Sequence, residues 1–176
     1  MSEQSARYQR SSGGLLAALG VLLVVVLVWV GVQTLFRPDR STPQERVDYG
    51  QVVAQVRKAA HFELLAPARL PAGWRATSVR FTPGPSPHWH LGVLTDRGRY
   101  VGLEQGRQSV GEAVDAFVDP AAVRRAPVVV RGATWSTYTD TGGDLALVRR
   151  QGGTTTLVVG HAVGRSQLRS YAARLR

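Results

Sequence analysis

Two histidines separated by a single tryptophan, His88 and His90, are the residues whose type and spacing point most directly to chemistry. Side chains at positions i and i+2 of a β-strand lie on the same face, so both imidazoles would stand about 7 Å apart. Glu104, on the strand expected to pair with them, would be a third ligand for zinc or copper. A zinc site needs three or four ligands, and only His61 and His161 offer further nitrogen donors. We favour two surface or half-buried histidines that flank a core tryptophan, and we keep a metal site as the alternative.

Other catalytic chemistry has little support in the sequence. The absence of cysteine excludes a disulfide framework, a thiolate zinc site and a cysteine nucleophile. Neither Gly-x-Ser-x-Gly nor Ser-x-x-Lys is present, since Lys58 is the only lysine, and no phosphate-binding or dinucleotide motif is found. We therefore predict no catalytic residue and no cofactor. A metal-dependent or hydrolytic enzyme that uses His88 and His90 is the alternative.

The chain is strongly basic. It carries 22 Lys+Arg against 12 Asp+Glu, a formal net charge of +10. A basic surface favours anionic partners such as lipid head groups, acidic wall polymers or nucleic acid. The sequence contains no helix-turn-helix or aromatic RNA-binding motif, so nucleic acid is the least favoured partner.

An apolar segment near the start of the chain predicts a membrane anchor. Residues 15–32 are eighteen consecutive residues without a charge, and about 20 apolar residues span a bilayer core. A cleaved signal peptide would have a shorter apolar stretch and a small-x-small cleavage site, which the sequence lacks. We predict a single transmembrane helix over 13–36, through which the chain contacts the lipid bilayer.

The flanks of this segment set the predicted topology and domain organisation. Arg7 and Arg10 favour a cytoplasmic N-terminus, which places the larger part of the chain outside the cytoplasm at the cell membrane. The expected parts are a tail (1–12), the transmembrane helix (13–36), a juxtamembrane stalk (37–60) and an extracytoplasmic domain (61–176). Thr42 and Glu45 form a capping-box pattern that predicts a short stalk helix.

Short apolar runs broken by proline and glycine predict the fold of residues 61–176. Helices are expected over 109–118, where Ser109 and Glu112 form a capping box, and over 166–175. The short loops favour antiparallel pairing. The predicted class is α+β, with an antiparallel sheet of short strands and two helices packed on one face of it. The predicted strands are 74–81, 88–95, 99–105, 128–131, 133–140, 144–150 and 154–162.

Several short blocks carry a resemblance to a known family. The blocks are residues 66–75, 89–92, 100–105, 132–135, 147–149 and 159–162. They resemble those of an actinobacterial family catalogued as domain of unknown function 4245, and the resemblance extends over nearly the whole chain. It implies a membrane-anchored envelope protein with no assigned activity and no known catalytic residue.

These observations leave three functional hypotheses. The favoured one is a non-enzymatic envelope module that binds another envelope protein or an anionic wall or lipid ligand. The second is an enzyme that uses His88, His90 and Glu104. The third is a cytoplasm-facing basic domain that binds anionic lipid or nucleic acid. The sequence does not determine the oligomeric state.

Overall fold

The computed structural model describes residues 48–60 and 62–176. Three helices and seven strands are found there. In chain order they are α1 (Tyr49–Ala59), β1 (Arg75–Thr82), β2 (His88–Leu94), β3 (Tyr100–Gly106), α2 (Val110–Phe117), β4 (Val123–Val130), β5 (Ala133–Thr139), β6 (Asp144–Gln151), β7 (Thr154–His161) and α3 (Arg165–Ala172).

The seven strands form one antiparallel sheet in the order β1-β2-β3-β7-β6-β5-β4. The sheet consists of two meanders, β1 to β3 and β4 to β7. In each meander, short loops join consecutive antiparallel strands. Gly152 and Gly153, both at positive φ (56° and 80°), make the tight β6–β7 turn. In the chain, helix α2 connects β3, in the middle of the sheet, to β4 at one edge of the sheet. The last strand, β7, pairs with β3. The predicted α+β class and the order of the elements are confirmed.

Both faces of the sheet are covered, which corrects the expectation that the two helices share one face. Side chains alternate along β7, so Val158 joins the cluster packed by α3, whereas Leu157 and Val159 join the cluster packed by α2. We call these the α1/α3 face and the α2 face. Six consecutive residues of β7 are buried, as expected for a strand covered on both sides.

The α1/α3 face holds the main core. Trp74, Trp89 and Trp135 are 8%, 0% and 3% exposed, and Trp89 is the core tryptophan expected between the two histidines. Tyr171 of α3 stacks on Trp74 with ring centroids 5.5 Å apart. Aromatic side chains bury more apolar area than any others, so this cluster contributes a large part of the stability.

The capping box predicted for α2 is present. Ser109 Oγ accepts a hydrogen bond from the Glu112 backbone N–H at 3.2 Å, and Glu112 Oε2 accepts one from the Ser109 N–H at 2.7 Å. This arrangement satisfies two N–H groups that an uncapped helix would leave without partners. Ala113 and Val114 are buried against the sheet, so the cap fixes where α2 begins over the α2 face.

Helix α1 lies in the segment predicted as a stalk, and it packs on the sheet domain. Val53 and Val56 are buried in the main core, and the Tyr49 hydroxyl donates to the Pro67 carbonyl at 2.9 Å. Asp48 caps the helix by accepting from the Gly50 N–H. The expected helix start at Thr42 and the predicted transmembrane helix over 13–36 lie outside the described residues. Within the described part, no helix has the length and apolar character needed to cross a membrane.

Candidate functional site

A polar cluster lies on the α2 face, where β1, β2 and β3 run side by side. His90 stands directly opposite Glu104 in the β2–β3 pairing, and Ser78 stands opposite Gly92 in the β1–β2 pairing. A β-bulge between Ala76 and Ser78 sets the second register, because one extra residue shifts every later side chain to the other face. The bulge thereby turns Ser78 toward the two histidine-bearing positions of β2.

Hydrogen bonds join these side chains in a chain. The Ser78 hydroxyl lies 2.8 Å from His90 Nε2, and His90 Nδ1 lies 2.6 Å from Glu104 Oε1. His88 Nε2 lies 3.3 Å from Glu104 Oε2, within ion-pair distance. His88 Nε2 and Glu104 Oε2 are both buried and, among the described residues, neither atom has a partner with hydrogen-bond geometry. One carboxylate therefore bridges two imidazoles and holds His90 firmly and His88 more loosely.

Burial and charge act in opposite directions on Glu104, which is only 5% exposed. Burial raises the pKa of its carboxyl group, but the hydrogen bond from His90 and the close approach of both His88 and His90 outweigh this effect. The pKa of Glu104 therefore lies below its ordinary value of 4.5, and the group is an anion at neutral pH. His88 also stacks on Phe117 of α2, with ring centroids 5.4 Å apart, which covers this end of the cluster.

Tyr100 lies beside Ser78, over two glycines. A Cβ atom on Gly92 would collide with Ser78 Oγ and would lie 2.9 Å from the Tyr100 hydroxyl. A Cβ atom on Gly102 would lie 3.3 Å from the Tyr100 ring. The two glycines thus leave the space that the Ser78 and Tyr100 hydroxyls occupy. Burial raises the pKa of Tyr100, and the Glu104 charge adds to this, so its hydroxyl stays protonated at neutral pH.

The structure brings together the three residues considered as metal ligands, His88, His90 and Glu104. They are arranged as two histidine–carboxylate contacts, and the described residues contain no group of three or more side chains placed to hold a metal ion. His161 lies apart from them and pairs with Asp144 at 2.9 Å. His61 lies outside the described residues.

A groove on the α1/α3 face is the second candidate site. It has a volume of about 1060 Å³. Helix α1 forms one wall, and the segment 62–76 forms the other wall and the floor. The apolar lining side chains are those of Val53, Phe62, Leu64, Ala66, Pro67, Ala68, Leu70, Trp74 and Ala76.

Charged side chains surround this apolar floor. Four arginines line the groove together with two carboxylates, those of Asp48 and Glu63, so positive charge predominates. Three of the basic side chains are exposed and one is half-buried, which places the charge toward the rim and leaves the buried floor apolar. The lining basic residues are Arg57, Arg69, Arg75 and Arg176.

Hydrogen bonds hold the groove in shape. The Gln105 carboxamide accepts from the Leu65 N–H at 2.7 Å and donates to Thr156 at 3.0 Å, which ties the floor segment to the sheet. Ala66 and Arg176 exchange two backbone hydrogen bonds of 3.3 and 3.2 Å. The groove is therefore formed before any ligand binds, which lowers the entropic cost of binding.

The sequence identified the histidines and Glu104 but missed Ser78, Tyr100 and the groove. Alternation along β1 places Ser78 on the same face as Arg80, and a correct β1–β2 register would have placed it beside His90. That register depends on the bulge, which has no sequence signal of its own. The groove depends on how α1 docks, and helical periodicity does not specify docking.

Together, the sheet, its three described helices and the groove define an α+β domain with a preformed basic cleft. The chain belongs to the family described as "Protein of unknown function (DUF4245)", which matches residues 7–175. This confirms the resemblance seen in the sequence. No curated protein matches the chain.

Proposed function

We propose that the protein is a membrane-anchored binding module that takes an anionic lipid in the groove between α1 and residues 62–76. The supporting observation is the combination of a large preformed cavity, an apolar floor and a basic rim. Ligand sites are concave and mostly apolar, with a few polar groups that orient the ligand. In this proposal the domain lies outside the cytoplasm and the segment 13–36 anchors it in the cell membrane.

An acyl chain with a negatively charged head group fits this lining better than a wholly polar ligand. Each Å² of apolar surface removed from water contributes roughly 25 cal/mol, so the half-buried side chains of Phe62 and Leu70, which keep apolar surface in the groove, favour a hydrocarbon chain. Arginine binds phosphate through two parallel N–H···O bonds, and Arg69 and Arg75 can supply such donors at the rim. Both halves of an amphiphile thus find complementary surface in one cleft.

The position of the groove along the chain also supports a lipid ligand. Residues 37–48 connect the predicted transmembrane helix to α1, and these twelve residues reach at most about 40 Å when fully extended. The groove is therefore tethered within about 40 Å of the bilayer, whatever path the connection follows. In this proposal the lipids of that bilayer are ligands within reach of the groove.

Blocking the groove will test this proposal. Ala68 is exposed and lines the groove, so Ala68→Trp fills its entrance without disturbing the core. We expect native mass spectrometry of the full chain, released from detergent, to show one bound lysophosphatidic acid per protein. Ala68→Trp should lower the affinity at least about tenfold, or ~1.4 kcal/mol.

The matched control is Ala72→Trp, because Ala72 is exposed on the same connecting segment but does not line the groove. It should bind like the wild type. A monoacylglycerol with the same acyl chain and no phosphate should bind more weakly, since it cannot pair with the arginines. Equal binding by both tryptophan variants, or no one-to-one adduct on the wild type, would contradict the proposal.

A further inference from the structure

We propose that Ser78 is the nucleophile of a hydrolytic site for small carboxylic esters, with His90 as its base and Glu104 as the carboxylate that orients the base. Hydroxyl, imidazole and carboxylate stand in one hydrogen-bonded line, with distances of 2.8 and 2.6 Å. A weakly nucleophilic hydroxyl becomes reactive when an adjacent base accepts its proton and a third group fixes that base. All three groups lie on adjacent strands, which hold them more rigidly than loops would.

Hydrogen bonding assigns the proton positions. Glu104 is an anion and only accepts, so His90 Nδ1 carries the hydrogen in the 2.6 Å bond. When Nε2 carries no proton, its lone pair can accept a hydrogen bond from the Ser78 hydroxyl, which lies 2.8 Å away. This is the tautomer that a general base needs. The negative charge on Glu104 also stabilises the imidazolium that forms when His90 takes the proton.

The reaction follows from these positions. Ser78 Oγ forms a bond to the ester carbonyl carbon while its proton moves to His90 Nε2. The bond between this carbon and the alcohol oxygen then breaks, and His90 returns the proton to the departing alcohol. Water, activated by the same imidazole, releases the carboxylic acid and restores the serine. The overall reaction consumes one water and needs no oxidant or reductant.

Tyr100 supplies a donor for the charge that develops on the carbonyl oxygen. Its hydroxyl and Ser78 Oγ both lie next to the space above Gly92, and tyrosine hydroxyls serve this role in other sites. Access is from the open part of the α2 face, since Ser78 and His90 are half-buried and Tyr100 is 39% exposed. An open sheet surface of this kind accommodates a short acyl group, which gives the substrate class.

The test is covalent labelling of the full-length chain with a fluorophosphonate. Ser78 Oγ would form a bond to phosphorus and fluoride would leave, which adds one probe mass per protein. We expect tandem mass spectrometry of the wild-type protein to place the adduct on Ser78. Ser78→Ala should abolish the adduct, and Ser170→Ala, at an exposed serine of α3, should label at the wild-type rate.

Two further variants separate activation from the presence of a serine. His90→Gln keeps Ser78 but removes the base, and should slow labelling at least about 100-fold, as expected for general base catalysis. Gly92→Ala keeps all three residues but forces Ser78 Oγ aside, and should also lose labelling. Circular dichroism confirms that each variant is folded. An unlabelled Ser78 in folded wild-type protein, or equal labelling rates with and without His90, would overturn the proposal.

The hydrolytic site and the groove lie on opposite faces of the sheet. Ser78, His90 and Glu104 belong to the α2 face, and Trp74 and Ala76 of the groove belong to the α1/α3 face. Failure of lipid binding therefore leaves the labelling result standing, and the reverse is also true.

Discussion

Replacing Glu104 with glutamine will lower the free energy of unfolding by about 3 kcal/mol at pH 7, because His90 loses a buried hydrogen bond to a charged carboxylate. The carboxylate is 5% exposed and serves both His88 and His90, so a neutral amide cannot replace its charge toward either ring. Urea unfolding of the full chain, followed by tryptophan fluorescence, measures this loss. Asp115→Asn, at an exposed carboxylate of α2, should change stability by no more than about 0.5 kcal/mol.

The same variant has a defined pH signature. The pKa of Glu104 is lower in the folded state than its ordinary value of 4.5, so the folded state binds this proton less tightly than the unfolded state. Its stabilisation is therefore complete above pH 4.5 and is lost as the pH falls through the folded-state pKa. Glu104→Gln should flatten the stability profile in this acid range. A profile as steep as that of the wild type would show that Glu104 does not interact favourably with the histidines.

Truncation of Trp89 will cause the largest loss of stability of any single change considered, about 3–5 kcal/mol for Trp89→Ala. The side chain has 0% exposure at the centre of the α1/α3 core, where neighbouring side chains cannot move far enough to fill the cavity. Typical domains are stable by only about 5–15 kcal/mol, so this variant should unfold at a much lower denaturant concentration.

Trp89→Phe separates apolar packing from hydrogen bonding. Among the described residues, the Trp89 indole N–H has no hydrogen-bond partner, so phenylalanine loses volume but no hydrogen bond. We expect this variant to lose no more than about 2 kcal/mol. Val129→Ala, at a 53% exposed position of β4, is the control and should be nearly neutral. A Trp89→Ala protein as stable as the control would mean that this core is packed differently.

Local patterns made much of the fold predictable. The β2–β3 pairing, the α2 capping box and the presence of α3 were all expected, because each depends on residues close together in the chain. Strand β4 was expected only over 128–131, although it begins at Val123. Its first part lies at a sheet edge and carries two adjacent arginines, so it shows no apolar alternation. The location of each helix was predictable, whereas the face that it covers was not.

The candidate sites also divide into features that local sequence predicts and features that depend on tertiary packing. His88, His90 and Glu104 share one face through simple alternation and hairpin pairing, which the sequence displays. Ser78 reaches them only because a bulge shifts its strand by one residue, and such a shift depends on the packing of the complete sheet. The groove forms between segments that are joined by tertiary contacts, so its existence follows from docking of α1 rather than from any motif.

Topology is the most direct test of the central claim, that a membrane-anchored domain binds its ligand outside the cytoplasm. The full chain would carry a C-terminal alkaline phosphatase, which is active only outside, or in parallel a reporter that is active only inside. We predict phosphatase activity in the membrane fraction and an inactive cytoplasmic reporter. A stable, membrane-bound fusion with the opposite pattern would contradict the claim and would assign the basic domain to cytoplasmic anions.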